Sequence, residues 1–322
     1  MLSAVVTEPR DSAGTSERRS DEDAGGEGEP SRRQLLRAGA VLAGVAVAGG
    51  GYLLGTAGGD DGDYTAPADF PLVSTRGHFT THVLGDVALA DGHGRTEVDT
   101  VGDWTGDDAA DGEVCIFVHG LNVPDRGAAS DRAYTARRGL ERLGYDQPVV
   151  GYSWQSDPGV WWTPVELAHR NGAKLAHWAG SRFEATGAPI RVIAHSLGAP
   201  VVLAALAALE AREPAGGWAS WPVRSVALLG GAVEATAPAA PEYADAIARV
   251  PGGVHNFHKR DDKILRRVSL VEGHKQLGRA GFPDSGVAPE AFRDHDVTDS
   301  VRDHNSYYEP DEGCLPGIVE AL

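Results

Sequence analysis

Positive charge is scarce in this sequence, and lysine is scarcest: Lys174, Lys259, Lys263 and Lys275 are the only four in 322 residues. Arginine supplies the rest of the 29 basic residues, which face 46 acidic ones for a net charge of −17. A nucleic-acid partner requires a basic footprint, so that class is disfavoured. The same acidity keeps a surface hydrated where salt screens charge, and it resembles the composition of extremely halophilic proteins. Cysteine is rarer still. Cys115 and Cys314 allow at most one bridge and no disulfide framework, and Cys115, inside an apolar run, reads as a small core residue. No Cys/His spacing suggests zinc, and no cofactor is expected. No internal repeat is found.

What is present is organised around Ile190-Arg191-Val192-Ile193-Ala194-His195-Ser196-Leu197-Gly198-Ala199-Pro200-Val201-Val202. A short β-rich run meets a serine, and an Ala/Leu-rich helical run follows at once. Ala194-x-Ser196-x-Gly198 is the G-x-S-x-G pattern with alanine at its first position. That pattern places a serine on a sharp strand-to-helix turn, where neighbours two residues away must be small. The helix behind it offers unpaired N–H groups to developing negative charge.

Residues 1–30 are rich in Ser, Gly, Asp and Glu and carry no apolar period, so they read as disordered. Ser31-Arg32-Arg33-Gln34-Leu35-Leu36-Arg37 and an apolar run over 38–57, softened by six glycines, resemble a twin-arginine export signal. An uncleaved membrane anchor over 38–57 is the alternative. Either way the export machinery is an expected partner, and the rest of the chain is expected outside the cytoplasm or on the cell surface. The eight acids of 1–57 nearly balance its six arginines, so the acidity belongs to residues 58–322. Residues 58–71 read as a Gly/Asp/Pro linker, and 72–322 as the folded domain.

Within that domain strands are expected around Gly77–Leu84, Thr96–Val101, Val114–Val118, Pro148–Trp154, Ile190–His195, Val223–Leu229 and Val254–His258. Helices are expected over Arg132–Leu143, Pro164–Phe183, the run after Ser196, and Glu242–Arg249. Strands alternating with helices of this length predict an α/β fold with a mostly parallel central sheet and helices on both faces.

A serine hydroxyl needs a base in hydrogen-bond reach and a third group to orient that base. In open α/β sheets such groups sit at the carboxyl ends of strands, in the chain order Ser, acid, His. Asp262 is preferred as the acid, because Ile264 and Leu265 can tuck inward and aim it; Asp261 and Glu234 are the alternatives. His304 is preferred as the base over His295 and His274, leaving room for a helix between acid and base. The backbone N–H groups of Leu121 and Leu197 are the expected oxyanion donors. His119 precedes the serine and is expected to support the loop structurally.

These residues resemble the α/β-hydrolase superfamily from about Val114 to Tyr308. The resemblance is carried by Phe117-Val118-His119-Gly120-Leu121-Asn122, by Ala194-His195-Ser196-Leu197-Gly198, and by Asp262 and His304. Tyr152-Ser153-Trp154-Gln155-Ser156, the helix with Ala168, Gly172 and Ala176, and the ending at Tyr307 resemble a branch of unassigned function, in which Ser-Trp-Pro-Ser is usual where this chain has Gln155. The resemblance implies the α/β-hydrolase fold and a Ser-His-Asp hydrolase without metal or cofactor. A small-molecule ester is the expected substrate. A catalytically silent binding protein, a peptidase or a thioesterase of the same fold are the alternatives. Trp154, Trp161 and Trp162 can wall the substrate pocket or pack under a loop. No long apolar lid is evident, which favours a soluble ester over an interfacial one.

Overall fold

A computed structural model describes residues 64–81, 86–104, 112–156, 161–212, 220–284, 286–311 and 313–322. The expected disordered region and the twin-arginine signal or anchor lie outside these residues. Among the described residues no helix is long and apolar enough to cross a membrane.

The sheet is built outward from β5 (Val114–Val118), whose five residues are all buried. Side chains alternate across a strand, so Val114, Ile116 and Val118 enter one core while Cys115 and Phe117 enter another. A strand covered on both faces reads as an unbroken apolar run, as this one does. β6 (Val149–Ser153) and β7 (Ile190–His195) flank it, both parallel. Beyond β7 lie β8 (Val223–Leu229), β9 (Val254–His258) and the edge strand β10 (Phe292–Asp296), all parallel. Beyond β6 lie β1 (Leu72–Ser74), parallel to it, and β4 (Asp99–Val101), which pairs antiparallel with β1. The order is β10-β9-β8-β7-β5-β6-β1-β4, and β2 (Phe79–Thr81) and β3 (Val87–Leu89) form a separate ribbon. With helices on both faces, this is the α/β-hydrolase fold expected from the sequence.

Helix α1 (Arg126–Arg142), capped by the Asp125 carboxylate on Ala128 N–H, covers one face together with the final helix of the chain. Helices α2 (Trp162–Thr186) and α3 (Gly198–Ala211), with the short α4 (Ala244–Ala248), cover the other. Gly172 lets α2 lie against α3, since a side chain there would run into Ala204 Cβ, and Ala168 and Ala176 are buried about one turn to either side. Buried Asn171 of α2 ties this layer to the sheet, accepting from Thr75 Oγ1 at 2.5 Å and Tyr152 Oη at 3.1 Å.

The segment expected as a linker is packed from Tyr64 onward. Its Tyr64 and Ala66 N–H groups donate to Thr135 Oγ1 and Asp131 Oδ1 on α1, and Phe70 is buried. Of the strand expected over 77–84, the described residues show a turn followed by β2 (Phe79–Thr81), and 82–84 lie outside them. Cys115 and Cys314 are free, buried thiols, both pushed up to about 12 by burial. They form no bridge.

Lys174 of α2 is fully buried, and its ammonium donates to the carbonyls of Gly94 and Glu97 at 2.7 and 2.8 Å. It also lies 3.2 Å from His78 Nδ1. Burial first, and then the Lys174 charge, pull the His78 pKa below its ordinary 6.5.

Candidate active site

The sheet order reverses at β5: the chain leaves it for β6 on one side and returns to β7 on the other. Ligand sites of open α/β sheets form at such a switch point, beyond the strands' carboxyl ends. The loop after β5 and the turn after β7 therefore meet there.

β7 ends at His195 and α3 begins at Gly198, so the chain must turn within two residues. Ser196 adopts φ of 52°, a left-handed conformation costing a non-glycine residue about 1–3 kcal/mol. The turn is fixed from β8: Ser196 N–H donates to Leu229 O at 2.9 Å, and Ser196 O accepts from Ala232 N–H at 3.0 Å. A side chain at Gly198 would lie 2.5 Å from the Val118 carbonyl oxygen, and one at Gly120 would lie 2.8 Å from Ser196 Cβ. Those two positions must stay bare. Ala194 sits inside β7 and its methyl joins the core, which is why alanine is accommodated there.

Asp262 follows β9 and caps α5 (Lys263–Glu272), with Oδ1 accepting from Leu265 N–H at 2.9 Å. Its other oxygen, Oδ2, lies 2.7 Å from His304 Nδ1. His304 Nε2 lies 2.8 Å from Ser196 Oγ. A carboxylate can only accept, so Nδ1 carries the proton and Nε2 faces the hydroxyl as acceptor. The structure thus brings together the serine, acid and histidine preferred from the sequence, all three buried.

The alternative candidates are engaged elsewhere. Asp261 pairs with Lys259 at 2.7 Å, and Glu234 accepts from Thr236 Oγ1. His274 lies 3.3 Å from Glu272 Oε2, and His295 lies 3.0 Å from His255.

His119 lies beneath the loop after β5. Its Nδ1–H donates to Gly120 O at 2.9 Å, and its Nε2 accepts from Trp154 N–H at 3.3 Å. A trans peptide points its N–H opposite to its C=O. Anchoring the Gly120 carbonyl below the loop therefore turns the Leu121 N–H toward the cavity. Ser156 braces the same loop, accepting from Asn122 N–H at 3.1 Å and, through Oγ, from Val123 N–H at 3.3 Å. The Leu121 and Leu197 N–H groups have no acceptor among the described residues.

The tryptophans divide. Trp154 is wholly buried, its ring stacked on His119 and its Nε1–H donating to His119 O at 2.9 Å. It supports the loop and does not wall the pocket. Trp162 faces outward at 52% exposure. Trp161 borders the cleft, fixed by its Nε1–H to Glu272 Oε1 at 3.0 Å. The cleft spans about 630 Å³ including its mouth, with Leu121, Val123, Ile264 and Val268 lining it beside Ser196 and His304.

His195 is a residue that sequence reasoning missed. Its Nε2–H donates to the carbonyl of His304 at 2.7 Å, latching the base's loop to the serine's strand. The available signal was a polar residue inside an apolar strand, next to the serine. Burial, then the His304 charge, hold the His195 pKa well below its ordinary 6.5, and burial pushes His119 down to about 3. The unfolded chain takes up protons on these imidazoles near 6.5 while the folded chain resists them. Stability is therefore fully present above that value and is lost as pH falls below it. The urea midpoint is expected to fall measurably between pH 7 and pH 5, before most carboxylates titrate. A flat midpoint over that range would contradict the neutral, buried assignment of His78, His119 and His195.

Neither a family model nor a curated protein matches this sequence. Among solved structures, TT1662 from Thermus thermophilus is similar at 14% identity and a TM-score of 0.38, over 65% of this chain and 87% of that one. The mature form of Bacillus licheniformis lipase BlEst2 is similar at 15% identity and a TM-score of 0.33, over 61% and 86%. An acetylxylan esterase is similar at 11% identity and a TM-score of 0.31, over 58% and 83%.

Proposed function

We propose that the protein is a serine hydrolase that cleaves carboxylic esters through an acyl-enzyme. The observation that carries this reading is the continuous chain Ser196 Oγ–His304 Nε2, His304 Nδ1–Asp262 Oδ2, assembled from three distant segments. In it His304 takes the serine proton as Oγ attacks the ester carbonyl, and Asp262 holds the imidazole in the tautomer this requires. The tetrahedral oxygen is received by the Leu121 and Leu197 N–H groups, each such donor being worth roughly 3 kcal/mol. His304 then returns the proton to the leaving alcohol, and water releases the acid by the same steps. Trp161, Ile264 and Val268 offer the acyl or alcohol group an apolar wall.

The purified full chain, assayed in molar salt, is expected to turn over short p-nitrophenyl esters and not peptide p-nitroanilides of matched size. From Arg32-Arg33 and the apolar run behind them, the activity is expected at the cell surface or in the medium. Turnover of the anilides alone would replace the esterase reading with a peptidase. Turnover of neither, across ester chain lengths, would favour a silent binding protein.

A further inference from the structure

The scarce cations of this chain are not spread evenly. Lys259, Arg260, Lys263, Arg266, Arg267, Lys275 and Arg279 fall within 21 residues that hold three acids, Asp261, Asp262 and Glu272. In a protein of net charge −17 this is a local reversal of sign, and it surrounds α5, the helix that Asp262 caps.

Helical geometry sorts the residues of α5. Ile264 and Val268 line the cleft, and Leu265 is in the core. The opposite side carries Lys263, Arg266 and Leu270, with Arg267 at its flank and no acid among them, while Val271, three residues after Val268 and seven after Ile264, extends the cleft stripe to the exposed end of the helix. Lys263 and Arg266 form no ion pair among the described residues. Leu270 is 80% exposed and Val271 50%. With Trp162, they make up three of the five large apolar side chains that stand exposed among the described residues. The bond from Trp161 to Glu272 draws the start of α2 to the end of α5, so Trp162 is near the same rim.

We propose that this outward face of α5, with Trp162, docks the mouth of the cleft on an anionic lipid surface, from which the ester substrate is drawn. As a substrate assignment it rests on the hydrolase reading above. Charge complementarity names the occupant. Clustered Lys and Arg are attracted to anionic headgroups, exposed Leu and Val insert at the acyl boundary, and Trp favours that interface. The acidic remainder of the surface is repelled, which orients the molecule with α5 downward. The apolar wall formed by Ile264 and Val268 then continues through Val271 to the lipid, giving an acyl chain a dry path to Ser196. A lid is not needed for this, so an interfacial ester is open to the site as well as a soluble one.

The test uses the full chain with Leu270→Cys carrying an environment-sensitive fluorophore, both native thiols being buried. Vesicles of phosphatidylglycerol are expected to blue-shift the label at low salt, and vesicles of phosphatidylcholine are not. Arg266→Glu together with Lys263→Gln, in the labelled protein, is expected to weaken the response by on the order of 100-fold. The label reports the seating of α5 itself, however the N-terminal segment behaves. An unshifted label, equal shifts on neutral vesicles, or an unchanged response in the charge variant would each overturn the proposal. A shift produced equally by a soluble polyanion would overturn it in favour of a polymer partner. The readout survives Ser196→Ala, so failure of the hydrolase reading and failure of the docking surface are separate results.

Discussion

Alanine at position 304 is expected to lower ester turnover by roughly four to six orders of magnitude while the protein remains folded. Removing the imidazole takes away the only group within hydrogen-bond reach of Ser196 Oγ, among the described residues, that can accept its proton. The fold survives because the contact that holds the loop uses the backbone: His195 donates to the carbonyl of residue 304, which alanine retains. The loss should fall on kcat, with KM little changed, since the cleft walls are untouched. Ser196→Ala should cost about as much, and the double variant no more than either alone, because the groups act as one unit. Steady-state kinetics on a short ester, with circular dichroism as the control for folding, checks all three. A His304→Ala protein retaining a tenth of the activity would require a different base.

Asp262→Asn is the second large effect, expected at roughly 10⁴-fold in kcat. Asparagine can keep its oxygen on Leu265 N–H and so preserve the cap of α5. Its amide then faces His304 Nδ1 as a donor. That favours the tautomer in which Nε2 carries the proton, and this nitrogen can no longer accept from the serine. Asp262→Ala should lose the same activity and also the cap, lowering stability by about 1 kcal/mol relative to Asn. The comparison separates the two duties of one side chain. Equal stabilities with unequal activities in the two variants would show that the cap contributes nothing. Full activity in Asp262→Asn would show that orientation of the base comes from elsewhere.

The serine and the acid were legible because each follows a strand that its own sequence announces, and His304 was legible from chain order and from the room left for a helix after Asp262. Val254–His258 is apolar enough to read as β9, and Asp262 lies just beyond it. β7 reads likewise, and Gly198 marks the crowded side of the turn. The long helices were legible from their periods, though α1 begins at Arg126, well over a turn before the expected Arg132. The misses have physical reasons. β1 is three residues long, too short to show alternation, and β10 is a largely exposed edge strand whose charged residues hide it. The tryptophans could not be sorted, because a ring that stacks under a loop and one that walls a cleft have the same composition. Contacts between segments far apart in the chain, such as His195 with His304 or Lys174 with Gly94 and Glu97, leave no local period to read.

The central claim is that Ser196 is a nucleophile made so by His304. A fluorophosphonate probe, followed by peptide mapping and timed labelling, measures this most directly. The wild-type chain should be labelled at Ser196 alone, Ser196→Ala should stay unlabelled, and His304→Ala should react slower by orders of magnitude. Label on another residue, or an equal rate in the wild-type and His304→Ala chains, would contradict the account.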